Sequence, residues 1–378
     1  NMKIVLAIDS FKGCLTSKEA ECAASESILE TFSNCQIEKI PIADGGEGTL
    51  STLMEYTQGS LHTISAHNPC MEIIPAAYGI SHDNETAFIE MASISGITLI
   101  KEKQKNPMET TSYGTGELIR DALEKGCRQI ILSIGGSATN DAGTGLLQVL
   151  GYRFLDKEGK PLGTGGKILS KIEYIDDSQK HSSIDKANFT IACDVQNTFY
   201  GPNGAAHVYA RQKGADDNMI LALDEGMKSF AEIILKKTNK NISQLPGSGA
   251  AGGIGGTLAA LLNAKLESGA DLLLEKTHFQ ERIKGADLII TGEGKIDRQT
   301  LMGKIPGKIL RIGQASNIPV IAIAGKVEDT ESLAKAGFKG IYAITPSSVP
   351  FKEAMKPHTA YQNIKNTLSN ILPEIIKG

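Results

Sequence analysis

Two α/β domains, one inserted into the other, are the fold class this chain predicts. Its first 60 or so residues run strand, helix, strand, helix, the order that builds a parallel sheet. After about Gly285 the same texture returns in three compact apolar runs, as expected of parallel strands buried on both faces. Between these ends, from about Leu61 to Thr98, short strand-like pieces alternate with turn residues, which points to antiparallel or mixed pairing. Residues 1–66 and 283–378 are therefore assigned to one discontinuous domain, and residues 67–282 to an inserted one with a mixed sheet.

Lys3–Asp9 (KIVLAID) is a β-rich apolar run that closes in the turn SFKG. Thr16 with Glu19 three residues on makes a capping box. The helix it opens should reach about Phe32 and bury Ala20, Ala23, Ala24, Ile28 and Leu29. Ile37–Asp44 reads as a second strand, which Pro41 either places at an edge or makes irregular, and Asp44–Thr49 (DGGEGT) opens the next helix. Ser65–Cys70 is the expected crossing into the inserted domain, where Ala87–Ala92 is a strand. Thr115–Gly126 has one apolar face and a glycine stop, so it is a helix. Gln129–Ser137 and Ala187–Asp194 are strands, and an amphipathic helix spans about Met219 to Lys236. Ala286–Thr291, Pro319–Gly325 and Gly340–Thr345 complete the first domain's strands, and about Tyr361 to Ile376 forms a closing helix.

Length allows two ordinary cores. A hydrophobic content of 41%, a charged content of 22% and a net charge of −4 are those of a soluble globular protein. No long basic run is present, which argues against nucleic acid as a partner. No apolar run is long enough for a bilayer. The six cysteines form no C-x-x-C pair and read as reduced thiols of a cytoplasmic protein. The scattered histidines give no zinc pattern.

The densest feature is PGSGAAGGIGGTLAALLNA, Pro246–Ala264, with six glycines between Gly247 and Gly256 and a helical run from Thr257. Glycine lets backbone N–H groups approach a ligand, and a helix start beside it favours an anion. Gly247, Gly249 and Gly252 satisfy G-x-G-x-x-G, with Asp271 near the spacing of a ribose-binding acid. Yet the polar, proline-ended KKTNKNISQLP stands where a dinucleotide site needs a buried strand. That weakens an NAD-dependent oxidoreductase as the alternative. A two-lobed ligand sensor would want a DNA-binding helix pair or a secretion signal, and neither is found.

Nearly every expected strand ends in a polar, glycine-bearing turn: DSFKG, ADGGEG, GGSATND, CDVQN, TGEGKID and AGKVED. In parallel α/β sheets ligands bind beyond those ends. Lys12, Lys295, Lys304 and Arg298 are candidate cations for a carboxylate or a migrating phosphoryl group. Asp44, Asp194, Glu293 and Asp297 are acids suited to Mg²⁺ or to accepting a proton, although capping a helix would equally suit Asp44 and Asp297. Asn140, Asp141 and Asn197 carry less weight, because Asn and Asp are common in turns.

Six motifs in order, AIDSFKG, IADGGEGT, GGSATNDAGTG, ACDVQNTFYGPNGAA, PGSGAAGG and TGEGKIDRQTLMGK, resemble the bacterial glycerate kinase family, the type that includes the glucarate and glyoxylate pathway enzymes. The resemblance runs essentially from Met2 to the C-terminus. It implies ATP-dependent phosphorylation of D-glycerate with Mg²⁺, 2-phosphoglycerate as product, and a flavodoxin-like domain interrupted by a second α/β domain. Charge then suggests the roles. Lys12 and Lys295 face the substrate carboxylate or the moving phosphoryl group, and Asp194 or Asp44 acts as base or Mg²⁺ ligand. Ser10, Gly45, Gly46, Glu47, Glu293, Asp297 and Arg298 bind substrate. Gly135, Gly136, Ser137, Thr139, Gly249, Gly252 and Gly253 cradle phosphates. A cleft between the domains, closing to exclude water, is the expected site.

Overall fold

The computed structural model describes residues 2–43 and 48–377. In chain order its strands are β1 (Lys3–Ile8), β2 (Gln36–Lys39), β3 (Ser60–His67), β4 (Ile73–Ile80), β5 (Thr86–Glu90), β6 (Gln129–Ser133), β7 (Arg153–Leu155), β8 (Tyr174–Asp176), β9 (Asn188–Ala192), β10 (Lys265–Glu267), β11 (Leu288–Ile296), β12 (Val320–Val327) and β13 (Gly340–Ala343). They sort into two compact units. One contains the chain up to Thr52 and again from Ala270, and the other is Leu53–Gly269. Both crossings fall earlier than the expected 66/67 and 282/283. The first does so because β3 pairs antiparallel with β4 along its whole length. The second does so because Arg282 Nε donates to Glu38 Oε1 at 2.5 Å, tying its segment to β2.

The discontinuous unit holds a five-stranded sheet in the order β13-β12-β11-β1-β2, every pair parallel. Counted within the unit, that is 2-1-3-4-5, the flavodoxin-like order, with its topological switch between β1 and β11. β1 and the apolar part of β11 are buried on both faces, which is why both read as unbroken apolar runs. The helix Ser17–Thr31 starts where expected: Thr16 accepts from Glu19 N–H at 3.1 Å, and Glu19 returns the bond. Its buried stripe is Ala20, Ala23, Ala24, Ser27 and Ile28, whereas Leu29 is 43% exposed. Leu29 follows Ile28 by about 100° of helix rotation, outside that stripe. β2 is an edge strand that stops at Lys39, before the Pro41 that would lack a ladder N–H. It is shorter than the expected Ile37–Asp44.

Glu21 lies beneath β1, 3% exposed, with Ile8 N–H donating to it at 3.2 Å. Burial pushes its carboxyl well above the ordinary range, opposed by that bond and by Lys39 and Arg282. A folded pKa above the unfolded value of about 4.3 means that folding takes up a proton. The associated stability is complete below the unfolded pKa and is lost as pH rises through the folded one. Glu21→Gln keeps the accepting oxygen. It is expected to raise the melting temperature at pH 8, by roughly 2–4 °C per kcal/mol recovered, and to change it little at pH 5. Equal shifts at both pH values in thermal melts would contradict this account.

The second unit is built on a six-stranded sheet, β10-β9-β6-β5-β4-β3. β3, β4 and β5 pair antiparallel, while β5, β6, β9 and β10 pair parallel, giving the mixed sheet that the alternating pattern suggested. A separate hairpin-like pair joins β7 and β8. The core lies between this sheet and helices that include Tyr113–Glu124 and Asp217–Thr238. Among the described residues, no helix is long and apolar enough to cross a membrane.

Candidate active site

In the discontinuous unit, the turns after β1 and β13, the carboxyl-terminal ends of β11 and β12, and Lys304 surround a cavity of about 720 Å³. Asp9 ends β1, 4% exposed, and Ser10 N–H donates to its Oδ1 at 2.6 Å. The chain then folds back within five residues, Leu15 N–H donating to Phe11 O at 2.9 Å, with Gly13 at φ +75°. This reversal buries Phe11 and turns Lys12 outward. β11 passes close beneath, so a Cβ at Gly294 would stand 3.4 Å from Lys12 N. Glu293 accepts from Thr300 Oγ1 at 2.7 Å. Lys295 reaches Glu328 at 2.8 Å and Asp297 at 3.8 Å, and Lys326 reaches Glu328 at 2.6 Å. Lys295 and Lys326 together hold the Glu328 carboxyl down at about 2, and Glu328 in turn raises Lys295. Lys12 and Lys304 line the same cavity and form no ion pair among the described residues. Four lysines against Asp9 and Glu293 give the lining a positive balance.

In the other unit, β6 runs into Gly135 and Gly136, both exposed, and then into Ser137, Thr139, Asn140 and Asp141, all buried. Asp141 organises this turn. Its carboxylate accepts from Ser112 N–H (2.9 Å) and Oγ–H (2.8 Å) and from the N–H groups of Gly143 (3.1 Å) and Gly145 (3.2 Å). Lys213, 3% exposed, donates to Ser137 Oγ at 2.9 Å and Thr139 O at 2.7 Å. Desolvation lowers its ammonium to about 8, against an opposing pull from Asp141.

The glycine-rich stretch packs on this turn. Ala251, Gly252 and Gly253 take left-handed conformations, so the helix Ala250–Leu261 is kinked at its start. A Cβ at Gly249 would lie 2.0 Å from Thr198 O, one at Gly252 2.3 Å from Thr139 O, and one at Gly253 2.6 Å from Met227 Cε. Close approach of a backbone carbonyl thus accounts for Gly249 and Gly252, and a left-handed backbone packed against side chains accounts for Gly253. The expected Thr257–Ala264 helix lies mostly within the observed one. α-helix and turn, not a strand, lead up to Gly247, and Asp271 pairs with Lys308 at 2.7 Å; the dinucleotide fingerprint has neither its strand nor its free acid. Thr139 Oγ1, both Asn140 amide atoms, Ser248 Oγ and Thr257 Oγ1 are buried with no hydrogen-bond partner among the described residues. Buried polar atoms of this kind call for a hydrogen-bond partner.

A family model described as the glycerate kinase family matches residues 4–375. The chain belongs to the glycerate kinase family. It is 43% identical to a Bacillus cereus glycerate kinase over 98% of this chain and 97% of that one. It is 39% identical to the Escherichia coli glycerate 2-kinase over 100% and 99%. A glycerate kinase 2 crystal structure from Salmonella typhimurium LT2 superposes with a TM-score of 0.86 at 37% identity, covering 100% of this chain and 99% of that one.

Within this glycerate kinase family member, Ser10, Lys12, Glu293, Lys295 and Lys304 come together in one cavity. Asp297 and Arg298 lie just past β11, outside its lining. Asp297 caps a short 3-10 turn by accepting from Gln299 N–H at 2.8 Å, and Arg298 N–H donates to Asp329 at 3.2 Å. Asp44, Gly45, Gly46 and Glu47 fall outside the described residues. In the second unit Gly135, Gly136, Ser137 and Thr139 share one turn, with Gly249, Gly252 and Gly253 packed nearby. Asp194 is exposed just beyond β9, where Gly269 N–H donates to it at 3.1 Å. Four cavity features escaped the sequence reading: Asp9, Lys326, the Glu328 clasp and the apolar wall after β13. Asp9 sits in the same DSFKG turn as Lys12 and could have been found there. The wall spans a proline- and serine-rich loop and the short helix Phe351–Ala354, and its own apolar side chains carry no charge to flag it.

Proposed function

We propose that this chain transfers the γ-phosphoryl group of ATP to D-glycerate, giving 2-phosphoglycerate and ADP. The observation that carries the reading is Lys12 with Lys304, two cations without an acidic partner among the described residues, in a strand-end cavity of a glycerate kinase family member. The glycerate 2-hydroxyl oxygen bonds to the γ-phosphorus as the bond to the β,γ-bridging oxygen breaks, and the hydroxyl proton passes to a carboxylate. Catalysis of this step is mostly positioning and charge compensation. Lys12 and Lys295 compensate the charge on the phosphoryl oxygens and the substrate carboxylate. Ser10 donates a hydroxyl to the same cavity. Asp194 and Asp44 are the proton acceptors favoured from sequence, and Glu293 joins them on position.

Mg²⁺ would neutralise charge on the β- and γ-oxygens and set their geometry. It is usually held by one or two carboxylates together with phosphate oxygens and water. Asp9 and Glu293, two carboxylates on one cavity lining, fit that donor set. Asp194, exposed at a strand end, fits it as a single donor. Gly135, Gly136, Ser137 and Thr139 share the turn after β6, where the exposed Gly135 and Gly136 are suited to phosphate oxygens. Gly249, Gly252 and Gly253 support that turn through packing. All six cysteines are free, in keeping with a reducing, cytoplasmic setting.

The test is ³¹P NMR of the product formed from D-glycerate and ATP. A phosphate on C2 couples to one carbon-bound proton and gives a doublet. A triplet, from the 3-phosphate, or the absence of a phosphorylated acid would overturn the assignment.

A further inference from the structure

We infer that the apolar side of the discontinuous unit's cavity, walled by Val349, Phe351 and Met355, seats the purine base of the nucleotide, with its phosphates running toward Lys12 and Lys295. The inference rests on the phosphoryl-transfer reading above and assigns it a nucleotide subsite.

Size is the first reason. Pockets of roughly 300–1,000 Å³ suit ligands of drug or cofactor size, and a three-carbon acid fills only a small part of about 720 Å³. Chemistry is the second. Glycerate offers a carboxylate and two hydroxyls, with no apolar face to set against this wall. A base is flat and apolar on its faces, polar at its edges. Thr345 and Ser347 line the same cavity and bring hydroxyls within reach of such an edge.

Phe351 is the third reason. It opens the short helix Phe351–Ala354 and is 80% exposed, the most exposed large apolar side chain among the described residues. An aromatic face left bare at the edge of a cavity is a stacking platform, and a base laid on it removes both apolar surfaces from water. Met355 extends the wall over the first turn, its Cε 3.7 Å from where a Cβ on Gly13 would stand. The base would therefore rest close to Lys12, and the lysines at the ends of β1, β11 and β12 supply the charge that a triphosphate requires. The location, beyond the carboxyl ends of parallel strands beside a topological switch, is where such sheets bind nucleotides.

The chain contains no tryptophan, so Phe351→Trp introduces a single indole at the wall. Titration with ADP is expected to quench its emission saturably, whereas D-glycerate alone leaves it unchanged. Phe351→Ala is expected to raise KM for ATP about tenfold, with KM for D-glycerate and the melting temperature unchanged. Indole emission indifferent to saturating ADP, in a variant that still phosphorylates D-glycerate, would overturn the inference. So would a Phe351→Ala variant whose KM rises for D-glycerate and not for ATP. If the wild-type protein fails to phosphorylate D-glycerate while ADP still quenches the indole, the acceptor assignment falls and the base seat stands.

Discussion

Lys12→Ala is expected to lower kcat for glycerate phosphorylation by about 10²- to 10³-fold, the usual cost of removing one preorganised charge donor from a transition state. The fold should survive, since Lys12 is exposed and bound to no acid among the described residues, and surface substitutions of that kind usually stay within about 0.5 kcal/mol. Lys295 offers a useful contrast. It is clasped by Glu328 at 2.8 Å, and the two lysines Lys295 and Lys326 hold the Glu328 carboxyl down at about 2. To meet a phosphoryl oxygen, the Lys295 ammonium must leave or share that partner, so Lys295→Ala should cost less in kcat than Lys12→Ala. Lys12→Arg keeps the charge but changes its shape, and should recover part of the rate. Coupled measurement of ADP release separates the outcomes. A Lys12→Ala variant within about threefold of wild-type kcat would remove Lys12 from the transition state.

What the sequence made legible was mostly local. The Thr16–Glu19 capping box, the apolar runs of β1, β11 and β12, and the polar turn that ends β1 depend on neighbours a few residues apart and stand where expected, whereas β11 and β12 run on to Ile296 and Val327, through residues expected to be turns. Leu29 was misplaced by a single step around a helix, because an apolar side chain next to the buried stripe looks like part of it. The glycine-rich stretch shows a deeper limit. Positive φ and close approach were the right physical reasons for its glycines. However, sequence cannot say whether the approaching group is a ligand or the protein itself, and at Gly249 and Gly252 it is a backbone carbonyl. Phe351 was missed for the opposite reason: in isolation it is one apolar residue at the start of a short helix, and only the cavity gives it meaning. Asp141 was discounted as a turn former, although its main partner, Ser112, is 29 residues away. Side-chain partners at that separation leave no periodicity to read.

Asp141→Ala should therefore be the most destabilising single change in the second unit, costing about 3–5 kcal/mol, as when one side of a buried charged interaction is deleted. The carboxylate is fully buried and accepts from Ser112 N–H and hydroxyl and from the Gly143 and Gly145 N–H groups. Removing it leaves those donors buried without an acceptor. It also removes the negative charge that partly sustains the Lys213 ammonium. The sign of the resulting pH dependence follows from the lysine. Its folded pKa of about 8 lies below the unfolded value of about 10.4, so the unfolded chain binds more protons between those values and stability rises with pH there. Without Asp141 the folded pKa falls further and the rise begins at lower pH. Urea unfolding at pH 7 and pH 9 should find the deficit of Asp141→Ala relative to wild type smaller at the higher pH. A cavity alone would give the same deficit at both, and a loss below about 1 kcal/mol would mean that water replaces the carboxylate at those donors.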